Sequence, residues 1–250
     1  MFQGNAIVVE ENELLAERHG HVLLLTLNRH PKRNALGLAM LQGLVDALNG
    51  ADADPHTRCV VIAARGSCFC AGADLEEARR LAREQPEQAS RRSDLLVDIN
   101  TIVARLGTPV IAAVNGPAIG AGAGLSLGCD LVLAAPAARF GYPEVKHGIS
   151  AGMLIPNLIR QVGPKAAFEL VATGDPIDAE RAYALGMINR IVPETELLSA
   201  ALALAERLAQ FAPAGLVASK RAFQQAYELS LEEAVRAARD VNDRIRASAG

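Results

Sequence analysis

Two small-residue bends stand out as groups whose types and spacing could do chemistry. The first bend is Gly120-Ala121-Gly122-Ala123-Gly124. It follows a short apolar run, Val110 to Val114, and a turn at Asn115-Gly116-Pro117, and it leads into an apolar segment ending at Cys129-Asp130. Strand, glycine-rich bend and buried helix is the natural reading. Such a bend exposes backbone N–H groups at a helix N-terminus, where they hold a phosphate or an oxyanion that develops during a reaction. The second bend, Arg65 to Asp74 (RGSCFCAGAD), follows the apolar run Cys59–Ala63 and also precedes a helix-prone segment. Two bends of this kind could aim backbone donors from separate loops at one carbonyl oxygen. A nearby Glu would then move protons. Removing one such donor typically lowers a rate ~10²–10³-fold, so a pair is enough to organise an enzyme around.

Other chemistries fit less well. Gly120-x-Gly122-x-Gly124 is not the dinucleotide fingerprint, because its third glycine comes one residue early and no βαβ unit surrounds it. Glu144-x-x-His147 would put a metal-ligand pair on one helix face, but di-iron sites need a second such pair, and His19, His21, His30 and His56 provide none. His147 therefore reads as a surface or locally hydrogen-bonded residue. No Gly-x-Ser-x-Gly or Cys/His/Asn signature for nucleophilic catalysis is present. Ser126, inside the apolar segment, reads as structural, bonded to a backbone carbonyl.

The elements that must position these groups alternate between strand and helix. His21–Leu27 is a continuous apolar strand, and Val8–Val9 a shorter one before it. A basic loop follows, Asn28 to Asn34 (NRHPKRN), with Asn34 as the expected N-cap of a helix from Ala35 to Leu48. Residues 75–92 are charged and interrupted by Pro86, which suggests a solvated surface helix, with a lid beside the site as the alternative. Ser93–Leu106 is amphipathic. Leu131–Ala134 and Arg139–Gly141 are short strands. Beyond Leu154 the pattern turns helical: Pro164–Thr173 closed by Gly174, a helix capped by Asp178, and then Glu194–Ala209, Pro213–Tyr227 and Leu231–Ser248, the last with a Ser230/Glu233 capping box.

Composition excludes several classes. The 250 residues are 50% hydrophobic and 21% charged, which is globular, and no apolar run is long enough to span a bilayer. Lys and Arg total 25 against 28 Asp and Glu, so clustered cations for nucleic acid are not expected. Cys59, Cys68, Cys70 and Cys129 lack Cys-x-x-Cys spacing and follow no signal peptide, which points to a soluble, cytoplasmic protein with reduced thiols.

Four segments together resemble the enoyl-CoA hydratase/isomerase, or crotonase, superfamily: NRHPKRNAL (28–36), CFCAGADL (68–75), TPVIAAVNGPAIGAGAGLSLGCDLVLAAPAARFGYPEV (108–145) and RAYALGMINRIVP (181–193). They occur in the family's order over roughly residues 20–195. The resemblance implies an α/β fold, a crotonase-like spiral of ββα units over residues 1–195 that carries the acyl-CoA site, with an all-helical C-terminal part over 196–250. It implies a homotrimer or hexamer, and an acyl-CoA thioester substrate whose coenzyme A is part of the substrate, with no separate cofactor. The thioester oxygen would be held as an enolate by the N–H groups of Ala73 and Ala121, with Glu144 as acid/base. Lys32, Arg33, Ala35, Ala71, Asp74 and Leu75 would contact coenzyme A, and Lys220 would reach one of its phosphates. RNA binding, known for one branch, is disfavoured by the acidic charge and scarce aromatics.

One position departs from the family's hydratases, which carry a second glutamate where this chain has Gly124. A lone carboxylate at the later position resembles the Δ3,Δ2-enoyl-CoA isomerases, so isomerisation is the leading expectation. Hydration by Glu144 with an unidentified water-holding group is one alternative, and an acyl-CoA-binding protein that has lost its chemistry is another. The acid of the dehalogenase-like branch would fall near Gly152, which disfavours that branch.

Overall fold

The computed structural model describes residues 13–248; the strand expected at Val8–Val9 lies outside them. Strand β1 (Leu14–His19) turns through Gly20 and pairs antiparallel with β2 (Val22–Leu27). The following strands of the main sheet are parallel, and each requires a crossover. The chain crosses through helix α1 (Leu38–Ala53) to β3 (Cys59–Ala64), and through α2 (Leu75–Glu84) and α3 (Pro86–Arg105) to β4 (Val110–Val114). It continues through β5 (Pro117–Ile119) and α4 (Ala121–Gly128) to β6 (Leu131–Ala134). Last come β7 (Arg139–Gly141), α5 (Ile155–Thr173), β8 (Ile177–Asp178), α6 (Ala179–Ala184) and β9 (Arg190–Ile191). The six-stranded sheet has the order β1-β2-β3-β4-β6-β9.

The inner strands are apolar at every position but Thr26 because both faces of the sheet are covered. Leu23, Leu25, Leu27, Val60, Ile62, Val110, Ala112 and Val114 point to the larger core, under α1, α3, α4 and α5. Their alternate neighbours, among them Val22, Leu24, Val61 and Ile111, point the other way and pack on Leu197, Ala201, Leu204 and Ala205 of α7 (Leu197–Ala209).

After each long strand the chain makes one short extended contact in a second layer before its helix begins. Leu36 bridges Ala73, Cys70 bridges Ala118, and β5 pairs with β7, which pairs with β8. Strand, short strand, helix, stacked turn upon turn, is the spiral of ββα units that the sequence implies. The turns sit close where side chains are absent. A Cβ at Gly116 would overlap the carbonyl of Ser67, and one at Gly122 the carbonyl and side chain of Cys70.

Several boundaries differ from the sequence reading. Helix α1 starts at Leu38, with Gly37 at its N-cap, rather than at Ala35 behind Asn34, because Asn34 is in the left-handed region (φ 54) and fully buried. Pro86 does not interrupt one helix; it opens α3, so the amphipathic segment expected from Ser93 starts about two turns earlier. Helix α5 begins at Ile155 and breaks at Gly163 (φ 74), just before Pro164. Asp178 caps α6 through a bond from the Arg181 N–H (2.8 Å), and Gly174 ends α5 in the left-handed region.

The C-terminal helices are α8 (Pro213–Gln225) and α9 (Leu231–Ser248), with the Ser230/Glu233 box in place at the start of α9. The Lys220 ammonium is engaged within the fold. Its Nζ donates to Asp130 Oδ2 (2.7 Å) and to the Thr108 carbonyl (2.9 Å), tying α8 to the start of β4 and the end of α4. Burial overrides long-range steering here: a cation with those two acceptors already in reach stays in.

The interlock of the bends predicts a contrast between two glycines of one helix. Gly122→Ala is expected to lower unfolding stability by about 1–3 kcal/mol, because the methyl meets backbone that cannot retreat. Gly128→Ala, with nothing within 4 Å of its new methyl, is expected to leave stability unchanged or raise it. Urea unfolding of the two variants measures the difference.

Candidate active site

The basic loop folds as a single turn of 3-10 helix (His30–Lys32) followed by two left-handed residues, Arg33 (φ 51) and Asn34 (φ 54). Such a conformation needs an external anchor, and Asn34 supplies it. Its Nδ2 donates to the carbonyls of Arg65 (3.0 Å) and Cys68 (2.8 Å), pinning the loop to the second bend. Backbone bonds complete the seam: Ala71 N–H to Arg33 O, Leu36 N–H to Gly72 O, and Asp74 N–H to Leu36 O. Asp74 then caps α2, accepting from the Glu77 N–H (3.0 Å) with Oδ1 and from Arg29 Nη1 (2.8 Å) with Oδ2. Burial alone would raise the pKa of Asp74, but the Glu77 N–H and the Arg29 guanidinium outweigh it and hold the carboxyl below its ordinary range.

The two bends meet at glycines. Gly72 has φ +96, and a Cβ there would lie 2.7 Å from the Ile119 carbonyl and 3.5 Å from the Ala121 nitrogen. Only a residue without a side chain accepts that conformation at that distance. Ala73 follows at once, and Ala121 is the first residue of α4, whose opening N–H groups have no intrahelical acceptor. Among the described residues neither the Ala73 nor the Ala121 N–H has a hydrogen-bond acceptor.

Glu144 sits on a 3-10 turn, Pro143–His147, closed by left-handed Gly148. Its Oε1 packs over Gly120, 2.7 Å from where a Cβ would stand, and its Oε2 is buried without a partner. Burial pushes its pKa above the ordinary carboxylate range, with only a partial offset from its own backbone N–H and from His147. The two carboxylates thus differ by environment: Asp74 is paired and favoured as an anion, while Glu144 has one buried oxygen without a partner and is disfavoured as an anion.

These groups border one cavity of about 630 Å³. Glu144, Ala73 and Ala121 line it, and so do Lys32, Arg33 and Ala35 of the basic loop and Ala71, Asp74 and Leu75 of the bend. Every residue the sequence singled out for the site therefore lies on the same cavity wall, except Lys220. Some of them face it with little chemistry to spare. Asp74 has both carboxylate oxygens engaged, and Lys32 Nζ bonds Glu76 Oε2 (3.0 Å) across an exposed edge. The charged start of α2 is a wall rather than only a solvated face, since Leu75 and Glu76 line the cavity too.

Sequence reasoning missed one wall. Arg92, Leu96 and Asn100 recur at every fourth position, so α3 presents them on a single stripe to the cavity. The available signal was two polar residues, Arg92 and Asn100, in register with the apolar face of an amphipathic helix. Asn100 also explains the space beside Gly124. A Cβ there would lie 2.6 Å from Asn100 Oδ1 and 2.6 Å from Leu154 Cδ2, so no larger side chain fits without displacing them.

Comparison with known proteins agrees with this geometry. The family model for enoyl-CoA hydratase/isomerase matches residues 17–249. A Thermus thermophilus protein provisionally named an enoyl-CoA hydratase is 41% identical over 227 residues, 91% of this chain and 90% of that one. The 2,3-dehydroadipyl-CoA hydratase of Escherichia coli is 39% identical over 222 residues, 88% of this chain and 85% of that one. Among solved structures, the enoyl-CoA hydratase of Bacillus anthracis superposes with a TM-score of 0.87 at 31% identity, covering 93% of this chain and 90% of that one. With a parallel spiral core, a cavity at the meeting of two glycine bends, and a match over nearly its whole length, the chain belongs to the enoyl-CoA hydratase/isomerase, or crotonase, superfamily and is an acyl-CoA enzyme.

Proposed function

We propose that the protein isomerises 3-enoyl-CoA to 2-enoyl-CoA through a dienolate, with Glu144 as its single proton carrier. The observation that carries this reading is the pairing of an unpartnered, half-buried carboxylate with two unsatisfied N–H groups on one cavity, while the volume beside Gly124 is filled. The thioester oxygen accepts hydrogen bonds from Ala73 and Ala121. Glu144 takes a proton from C2, the electron pair shifts onto the thioester oxygen, and the same proton returns at C4 as the double bond moves to C2–C3. The two amides act where charge develops, so they stabilise the dienolate more than the ground state. The raised pKa brings the base closer to the acidity of its task.

In this reading the coenzyme A end lies along Lys32, Arg33, Ala35, Ala71 and Leu75, with Asp74 contributing its backbone and position rather than its charge. The reaction draws on no further cofactor. A homotrimer or hexamer is part of the same proposal. It is supported by apolar side chains left open on α8 and α9, such as Phe223 at 63% and Leu231 at 83% exposed. Hydration of 2-enoyl-CoA is a second reading, supported by the names of the relatives and by an unpartnered polar atom on α3.

Glu144→Gln tests the base. Isomerisation of 3-enoyl-CoA is expected to fall about 10²–10⁴-fold, and activity near the wild-type level would remove Glu144 from this role. The wild-type kcat/KM should decline on the acid side through a pKa above the ordinary carboxylate range, since only the ionised form accepts a proton. Stability follows the opposite sign. A raised folded-state pKa means that the folded protein loses stability as pH rises from the unfolded value through the folded one. Glu144→Gln is therefore expected to raise the melting temperature at neutral pH, with the gain vanishing below the unfolded carboxylate pKa. Arg33→Ala should raise KM for coenzyme A thioesters and leave KM for the truncated N-acetylcysteamine thioesters unchanged, which separates the nucleotide end from the acyl end.

A further inference from the structure

Asn100 is 7% exposed, lies on the cavity wall, and carries a carboxamide only half used. Its Nδ2 donates to the Leu96 carbonyl (2.7 Å), which sets the orientation of the amide, and its Oδ1 is buried with no hydrogen-bond partner. A neighbouring element fixes the residue in place: Asn157 Nδ2 of α5 donates to the Asn100 carbonyl (2.7 Å). An orphaned buried acceptor of this kind is held at a cost in free energy, so it calls for a partner that binds there.

Its location indicates which partner. Oδ1 occupies the volume that a side chain at position 124 would enter, 2.6 Å from the place of its Cβ. One helical turn back, Glu144 Oε1 packs over Gly120, and Gly124 N–H bonds Gly120 O (3.0 Å). Two carboxyl-type oxygens, one titratable and one neutral, thus flank the first turn of α4, the turn that also holds the free Ala121 N–H. A carboxamide oxygen accepts two hydrogen bonds and exchanges no proton at neutral pH.

We propose that Asn100 Oδ1 stands in for the carboxylate missing at Gly124 and, with Glu144, holds the water that adds to a 2-enoyl-CoA in this same cavity. The proposal rests on the enolate reading above, though not on isomerisation being the main reaction. The water oxygen forms the bond to C3 as the C2=C3 pair shifts toward the thioester oxygen. Glu144 takes one proton from that water and delivers it to C2 when the enolate collapses, so H and OH are added and Glu144 returns to its starting form. Asn100 Oδ1 accepts a hydrogen bond from the O–H that stays on the water oxygen and so orients its lone pair at C3.

Asn100→Leu and Asn100→Asp separate this role from a structural one, because both lose the amide donor to Leu96 and only the second keeps an acceptor. Hydration of 2-enoyl-CoA and deuterium exchange at C2 of a saturated acyl-CoA in D₂O are measured on each full-length variant. In Asn100→Leu the ratio of hydration to exchange is expected to fall about tenfold, the worth of one hydrogen bond, and in Asn100→Asp to recover to within threefold of wild type. A ratio unchanged in Asn100→Leu, a parallel loss of hydration and exchange in both variants, or exchange without hydration in the wild type would each overturn the assignment of Asn100. Absence of exchange in the wild type would instead overturn the enolate reading on which it rests.

Discussion

Peptide groups from separate loops can touch only where no Cβ stands between them, and this constraint organises the molecule. Gly72, Gly116 and Gly122 let the bend at 65–74 lie directly on the bend at 115–124. That contact brings the Ala73 and Ala121 N–H groups to one cavity and leaves them without acceptors. Everything else serves to hold it. The parallel sheet sets the spacing of successive turns, and Asn34 and the Arg29–Asp74 pair lash the basic loop to the outer bend. Free donors at a folded surface are ordinarily satisfied. Here the backbone is committed elsewhere and the site keeps them open.

The electrostatics of the cavity divide along the same line. Asp74 gains a helix cap and a guanidinium and stabilises the fold as an anion. Glu144, half-buried over the glycine bend with one oxygen unpartnered, is destabilised as an anion, the property that the proposed base requires. Environments that push two carboxylates apart commonly mark which is structural and which reacts. The buried thiols belong with the structural groups: burial pushes Cys70 up to about 12, which leaves a thiol inert at neutral pH.

The space beside Gly124 is not a void, because Asn100 of α3 and Leu154 ahead of α5 close on it. A glycine in the second turn of a helix normally weakens it. Here it makes room for a polar group from another helix, the Asn100 carboxamide, on a residue that also lines the cavity.

Most of the local architecture was legible in the residues. Leu131–Ala134 and Arg139–Gly141 are strands, Asp178, Gly174 and the Ser230/Glu233 box cap helices, and Ser126 bonds the Ala123 carbonyl, because such signals depend on neighbours a few positions away. Ala73, Ala121 and Glu144, singled out through motif resemblance, border one cavity. Three assignments required the tertiary structure. Asn34 looked like a helix cap but anchors to Arg65 and Cys68; Lys220 looked like a phosphate contact but pairs with Asp130; Asn100 looked like one more position of an amphipathic helix. In each case the deciding partner lies tens of residues away along the chain. The sequence alone determined the alternation of elements, the glycines that permit close approach and the lone glutamate. Which polar side chains complete the cavity was decided only by the stacking of the spiral, because hydrogen bonds act over about 3 Å of space whatever the separation along the chain.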